Sequence, residues 1–340
     1  MKLPHKILVS GGTGYIGAHV VIELLQNGYH VDIVDNLSNS SIDTLDQIQK
    51  ITHKTPTFHN IDLTNHAATI QLFEDNDHDA IIHLAGLKAV SESVKNPLKY
   101  YRNNITITLN LLECAKKHNV TDFIFSSSAT VYGNNQTIKY SEDLPVGNNI
   151  SSPYGKTKYM IEEILKDLSN SWANFRCVSL RYFNPIGNHP SGLIGENPKG
   201  IPNNLLPFLV KVAKGELPIL SIYGNDYPTP DGTCLRDYIH VVDLAKGHIA
   251  ALNYIKNGFS AYNLGTGTTT SVLDILHAFE NASGQSIPYK FAPRRAGDLP
   301  EYYADPSLAQ KELNWRAELS VQDALNDTVT FLKNIQYDKI

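Results

Sequence analysis

The stretch "KILVSGGTGYIGAHVVIELLQNGYHVDIVDN" near the N-terminus constrains the fold more than any other. A short apolar run ends in glycines, a segment of helical period follows, and a second apolar run rich in Val and Ile closes the unit. The helix expected from Tyr15 carries Ile16, Val20, Val21, Leu24 and Leu25 on one side. It stops at Asn27-Gly28, where glycine takes the left-handed turn at no steric cost. Strand, helix and strand in this order form the unit from which parallel sheets are built.

The alternation continues along the chain. "TFHNID", "AIIHLAG", "DFIFSSS" and "CVSLRYF" read as further strands, with helices starting after Asn65, Asn96 and Pro153. Continuously apolar strands of this kind are buried on both faces. The expected class is therefore α/β, an open doubly wound parallel sheet whose ligand crevice lies at the carboxyl ends of the strands. Past Asn184, "NPIGNHPSGLIGENPKGIPNN" is crowded with Pro, Gly and Asn, the texture of a long binding loop. The domain change is placed there. Residues 1–184 are expected to bind a nucleotide, with 237–270 returning to them through "DYIHVVDLAKGHIAALNYI" and "AYNLGTG". Residues 185–236 and 271–340 are expected to form a smaller mixed α/β substrate domain, with helices at "LLPFLVKVAKG", "VLDILHAFENASG" and "VQDALNDTVTFLKN".

The formal net charge of -5 over 340 residues argues against nucleic acid, whose binders gather excess Lys and Arg to displace counterions. Three cysteines without a CxxC pair imply neither a disulfide framework nor a thiolate metal site, and a reducing, cytoplasmic setting is expected. The apolar run before the first glycines is too short for a signal sequence, and no later run approaches a membrane span. Thirteen histidines carry no HExxH or similar spacing, so no metal site is expected.

"SGGTGYIG" sets Gly11, Gly14 and Gly17 in a GxxGxxG pattern after a strand and at the head of a helix. Glycines there serve a tight turn, close approach to a pyrophosphate and close helix packing, while the helix N-terminus offers unpaired N–H groups. The second strand ends at Asp35, where an acid accepts from the adenosine ribose hydroxyls and repels a 2'-phosphate. NAD is thus expected rather than NADP. Asp62, after the third strand, is a candidate for the adenine edge.

"SSPYGKTK" places Tyr154 and Lys158 one helical turn apart. Tyrosine is a poor base near neutrality unless its phenolate is stabilised, which the ammonium together with a positive nicotinamide ring can do. Taken alone, the spacing far more often marks a solvated helix face. The glycine loop and "IFSSSATVYG" change that balance, because Ser128 then stands at the carboxyl end of a strand within reach of the reacting oxygen or of Tyr154. Ser126 and Ser127 read as strand-end polar groups.

With "GGTGYIG", "HLAGLKAVSESV", "FIFSSSATVYG", "SPYGKTK", "RYFNPIG", "GIPNNL", "YGNDYPTPDGT", "RDYIHVVDLA", "YNLGTG" and "APRRAGDLP" in place, the chain resembles the extended short-chain dehydrogenase/reductase superfamily over nearly its whole length. Within it, the resemblance is to the family of UDP-glucose 4-epimerases. It implies a Rossmann sheet, tightly held NAD reduced and reoxidised in each cycle, and interconversion of UDP-galactose and UDP-glucose by a homodimer. It makes Tyr154 the base at the C4 hydroxyl, Lys158 the group that holds the cofactor ribose, and Ser128 the proton-transfer partner. The implied cofactor contacts are Gly11, Gly14, Tyr15, Ile16, Gly17, Asp35, Asn36, Asp62, Leu63, Leu84, Ala85, Gly86, Lys88, Asn103, Ser126, Tyr154, Lys158, Tyr182 and Phe183. For the UDP-sugar they are Ser128, Tyr154, Asn184, Asn204, Leu205, Tyr223, Arg236, Tyr238, Arg295, Asp298 and Tyr302.

A sugar that must turn over cannot be gripped by all its hydroxyls, so binding energy is expected from the UDP portion, with Arg236 and Arg295 on the diphosphate and Asp298 on a ribose hydroxyl. Tyr302 stands where the family reads a size gate, and its bulk favours glucose and galactose forms over N-acetylhexosamines. Tyr223 departs from the Phe of many relatives but still permits stacking on uracil. Arg294 reads equally as a surface charge. A 4,6-dehydratase would need an Asp-Glu pair where this chain has Ala129 and Thr130. A net dehydrogenase using free cofactor stays open on motifs alone, and a nucleotide-sensing regulator would not need Tyr154 and Lys158 together.

Overall fold

The computed structural model describes residues 5–337 apart from 136, 199, 201, 203 and 296. The first part runs β1 (Lys6–Ser10), α1 (Tyr15–Gln26), β2 (His30–Asp35), α2 (Asp43–Thr52), β3 (Thr57–Asn60), α3 (His66–Asp75), β4 (Ala80–His83), α4 (Val90–Lys95) and α5 (Pro97–Lys117). Then come β5 (Asp122–Ser128), a 3-10 turn (Ala129–Tyr132), β6 (Lys139–Tyr140), α6 (Pro153–Ser171), β7 (Arg176–Tyr182), β8 (Asn184–Ile186), α7 (Leu205–Ala213) and β9 (Leu220–Tyr223). The rest is β10 (Leu235–Arg236), β11 (Tyr238–His240), α8 (Val241–Asn253), β12 (Gly258–Leu264), β13 (Thr270–Ser271), α9 (Val272–Ser283), β14 (Tyr289–Ala292), β15 (Glu301–Ala304), α10 (Ser307–Leu313) and α11 (Val321–Tyr337).

Seven strands form one parallel sheet in the order β12-β7-β5-β4-β1-β2-β3. The order reverses between β1 and β4, and that switch point is where a doubly wound sheet opens its crevice. The period of two sorts its side chains. Ile7 and Val9 enter a core with Val20, Val21 and Leu24 of α1 and Leu244 and Ile249 of α8. Leu8 enters the opposite core with Phe73, Leu111, Phe123, Phe125, Ile161 and Leu165 from α3, β5, α5 and α6. Each such side chain contributes about 1.5–3 kcal/mol on burial, which fixes strand register firmly.

Two expectations need adjustment. Helix α1 buries more than one apolar stripe, since Ala18, His19 and Ile22 are covered too, because α8 packs along its outer side. In the segment 238–264, β12 joins the large sheet beside β7, whereas β11 leaves it and pairs with β8 in a separate two-stranded ladder.

A third core gathers Leu206, Leu209 and Val210 of α7, Ile275 and Phe279 of α9, and Leu325, Val329 and Leu332 of α11. A four-stranded sheet follows the order β13-β10-β15-β6. Its Tyr140 and Ala304 form a fourth core with Tyr132 and with Phe183 beyond the end of β7, and Tyr302 of β15 packs against that core.

Candidate active site

Gly11 follows β1 directly with φ +74°, and its N–H is bonded to the Val34 carbonyl at 2.8 Å. A Cβ on it would come within 2.8 Å of the Ala85 amide nitrogen, so the loop after β1 and the loop after β4 touch at the switch point. A Cβ on Gly17 would be driven into the Gly11 carbonyl oxygen. The first turn of α1 has neither a side-chain cap nor an acid, which leaves its N–H groups and positive pole facing the crevice. This backbone cradle, walled by glycines and uncapped, fits a pyrophosphate.

Asp35, at the end of β2, is braced by the Thr13 N–H at 3.3 Å, the Leu37 N–H at 2.9 Å and the Ser40 hydroxyl at 3.3 Å. The acid therefore stands over the glycine loop. Asn36 donates to Asp62 at 3.3 Å, joining the loops that follow β2 and β3. Bonds from Thr64 hold the Asp62 carboxyl below its usual range. Leu63 is buried beneath, and Leu84, Ala85 and Gly86 line the turn after β4.

Asn104 was missed in the sequence. Buried on α5, it accepts from the Leu87 N–H at 2.8 Å, donates to the Leu87 carbonyl at 3.0 Å and donates to Thr157 of α6 at 3.1 Å. It thereby ties the loop after β4 to the catalytic helix. Its neighbour Asn103 donates to it at 3.1 Å. Lys88 pairs with Glu196 at 2.9 Å, and Asn204 donates to the same carboxyl at 3.1 Å, so these residues meet across the loop after β8. Tyr15 donates to the Gly187 carbonyl at 2.6 Å, and Ile16 is half-buried beside it.

Helix α6 starts as its sequence dictates. Ser152 caps it by accepting the Gly155 N–H at 3.1 Å, and Pro153 occupies the first turn, where a missing N–H costs nothing. Tyr154, Lys158 and Glu162 follow at four-residue intervals on one face. Each faces a different residue of the triple serine that ends β5. Ser128 lies beside the Tyr154 phenol and favours its ionised form, Ser126 receives Lys158 Nζ at 2.6 Å on its carbonyl and 3.2 Å on its hydroxyl, and Ser127 donates to Glu162 at 2.5 Å. Ser127 is thus no loose strand-end group. Ser128 Oγ also accepts the Thr130 N–H at 3.2 Å, which leaves its own proton for the phenol.

Burial pulls the Lys158 ammonium down to about 7, with Glu162 acting in the opposite direction. Desolvation pushes the Tyr154 phenol up to about 12, opposed by the Ser128 hydroxyl. The protein's own groups therefore set the phenol higher, whereas the sequence reading counted on two cations, one of them the cofactor's. Tyr182 and Phe183 are buried at the end of β7. Burial also raises the Tyr182 phenol, whose hydroxyl meets His248 of α8.

On the other side of the crevice, Arg236 lies on β10 in register with Tyr302, its guanidinium 4.7 Å from that ring and 3.5 Å from the Asp298 carboxyl. Arg295 stacks over Tyr223 at 4.0 Å. Arg294 pairs with the exposed Asp226 and lies over Tyr227, a different ring from the Tyr223 that Arg295 covers. Tyr302 stacks on Tyr140 with centroids 5.6 Å apart, and its hydroxyl is 3.5 Å from Asn184 Oδ1. Tyr238 is buried on β11, and Leu205 opens α7.

Residues 7–265 match the family described as "NAD dependent epimerase/dehydratase family". The chain is 52% identical to the UDP-glucose 4-epimerase of Bacillus subtilis (strain 168) over 324 residues, 95% of each chain. It is 53% identical to that of Dictyostelium discoideum over 325 residues, 95% of this chain and 94% of the relative. Among solved structures, the UDP-glucose 4-epimerase from Bifidobacterium longum in complex with NAD+ and UDP superposes with a TM-score of 0.94 at 49% identity, covering 97% of this chain and 98% of that one. With its glycine cradle, its Tyr154–Lys158 helix and these relatives, the chain belongs to the NAD dependent epimerase/dehydratase family, among the UDP-glucose 4-epimerases.

Proposed function

We propose that this protein interconverts UDP-galactose and UDP-glucose by inverting the sugar at C4 through a 4-keto sugar. The observation that carries the reading is Tyr154 and Lys158 one turn apart on α6, Lys158 bonded to Ser126 and the Tyr154 phenol facing Ser128 at the carboxyl end of β5, with the glycine cradle two strands away in the same sheet. NAD, when bound, supplies a positive ring and takes and returns the C4 hydride. Gly11, Gly14 and Gly17 would hold its pyrophosphate, Asp35 its adenosine ribose, and Lys158 with Tyr154 its nicotinamide end.

Tyr154 takes the C4 hydroxyl proton as a phenolate. The Ser128 proton and the Lys158 ammonium, 5.8 Å from the ring centre, favour that phenolate against desolvation. Once the sugar has turned, the same tyrosine gives the proton back to the C4 oxygen. Only a group with one proton to lend serves both directions. A dehydratase would also need an acid to expel a hydroxyl, and Ala129 and Thr130 stand at those positions. Arg236 and Arg295 would neutralise the diphosphate, Asp298 accept from the uridine ribose and Tyr223 stack on uracil. Asn184, Asn204, Leu205, Tyr238 and Tyr302 would complete the pocket.

The division of labour follows: residues 1–184 with 237–270 bind NAD, and 185–236 with 271–340 bind the UDP-sugar. The exposed Val94, Leu98, Leu109 and Met160 on α4, α5 and α6 support a homodimer through these helices. Three free, buried cysteines support a reducing cytoplasm, and the substrates support a place in galactose metabolism. The test is to supply purified protein with UDP-galactose and no added cofactor, and to measure UDP-glucose. Formation without net change in nicotinamide redox state supports the reading, while a requirement for stoichiometric added NAD overturns it.

A further inference from the structure

Glu162 is fully buried one turn beyond Lys158 and touches no solvent. Its carboxylate is gripped by Arg181 of β7, Nε at 3.1 Å and a terminal nitrogen at 2.7 Å, and by Ser127 at 2.5 Å. Arg181 donates in turn to the Tyr132 hydroxyl at 3.0 Å, and Tyr132 donates to Asn263 of β12 at 2.7 Å. A bonded chain therefore runs from the catalytic helix through β7 and the 3-10 turn to the edge strand. Stability alone is a weak reason for it, since an apolar pair of similar volume does as well as a buried ion pair.

The titratable and charged groups around the Lys158 ammonium are Tyr154 and Glu162 from α6, His83 from β4, Tyr182 from β7 and, behind Glu162, Arg181. Burial holds His83 neutral, down to about 3, and keeps the phenols of Tyr182 and Tyr154 protonated. Glu162 is the one anion in the set.

We propose that Glu162 is a positioning residue for the reaction: anchored by Arg181 and Ser127, its carboxylate sets a buried negative charge on the face of α6 that carries Lys158 and fixes the turn that carries Tyr154. Arg181 orients that carboxylate and Ser127 ties it to the strand whose neighbouring residues hold Lys158 and face Tyr154. The proposal rests on Tyr154 and Lys158 being the catalytic pair.

The test follows Lys158 through its side-chain carbon and nitrogen resonances in lysine-labelled protein purified with its NAD, the signal being assigned by its loss in Lys158→Met. In Glu162→Gln, which keeps hydrogen-bonding atoms but loses the charge, the Lys158 titration is expected to fall by about one unit or more. The descending alkaline limb of kcat should move down by the same amount. Should Glu162→Gln not unfold cooperatively, the double variant Glu162→Leu with Arg181→Met removes both charges without stranding either, and a smaller downward shift is expected, because the departing guanidinium offsets part of the lost carboxylate. A Lys158 titration indistinguishable from wild type in the folded variant overturns the proposal. Because this titration is read without turnover, that failure leaves the epimerase reading standing, whereas an active Tyr154→Phe overturns that reading by itself.

Discussion

Lys158 is bonded to Ser126 and not to Tyr154: its Nζ is 2.6 Å from the Ser126 carbonyl oxygen and 5.8 Å from the centre of the tyrosine ring. The ammonium is held by the strand, so its link to the phenol is electrostatic, through space. Burial lowers this lysine to about 7. Between that pH and the ordinary value of an unfolded lysine, the unfolded chain binds a proton that the native chain has released, so stability rises with pH across the window. Lys158→Met abolishes that gain. The melting temperature of the variant relative to wild type, by calorimetry on protein stripped of NAD, should be higher at pH 6 than at pH 9. Turnover should fall about 100-fold or more. A stability difference independent of pH would count against a buried, neutralisable lysine.

Two glycines, Gly17 within α1 and Gly28 just past its end, separate conformational freedom from close approach. A Cβ on Gly17 collides with the Gly11 carbonyl, while Gly28, at φ +88°, has nothing within 4 Å. Gly28→Ala should cost about 1 kcal/mol, the strain of a left-handed alanine, and leave NAD content unchanged. Gly17→Ala should cost about 3 kcal/mol, since backbone must move, and the protein should be purified without its NAD. Equal effects of the two substitutions on melting temperature and nicotinamide absorbance would refute the distinction.

The Asn104 side chain makes four hydrogen bonds from a buried position, two of them to Leu87. Asn104→Ala strands a donor and an acceptor and should lower stability by about 2 kcal/mol in urea titration. It should also raise the dissociation constant for NAD, because the loop from Leu84 to Lys88 loses its tie to α6. Unaltered NAD affinity would limit Asn104 to the fold.

Tyr302 is wedged between Tyr140 and Phe183, with Arg236 across its face. Rings and a guanidinium on several sides hold Tyr302 in place, which fits the proposed role of a wall against an N-acetyl group. Tyr302→Cys is expected to raise kcat/KM for UDP-N-acetylgalactosamine about tenfold or more, with little change for UDP-galactose. No gain on the N-acetyl substrate would remove Tyr302 from the role of gate.

The sheet and the cofactor cradle were legible because their signals are local. Gly11, Gly14 and Gly17 lie within one turn of chain, and the strand period of two sends Ile7 and Leu8 to opposite cores. The pair Tyr154 and Lys158 was legible only with that context, since four-residue spacing also describes a wet helix face. What stayed hidden depends on contacts between distant segments. Ser127 and Glu162 are 35 residues apart, Arg181 and Tyr132 are 49 apart, and Tyr132 and Asn263 are 131 apart. A polar residue in a strand is indistinguishable in sequence from a loop-end serine until its partner is placed. The exit of β11 from the large sheet was hidden for the same reason, because Tyr238–His240 reads as a strand whichever neighbour it pairs with.

Tyr154→Phe removes one oxygen from the site and leaves the packing of the ring in place. The most direct measurement is the rate of UDP-glucose formation from UDP-galactose by this variant, beside its melting temperature and its NAD content. The expected result is a folded protein with bound NAD and kcat lowered about 1,000-fold or more, because the proposed mechanism has Tyr154 take the C4 hydroxyl proton. Turnover within a few-fold of wild type would contradict the assignment of Tyr154 as the base, and with it the reading of the site.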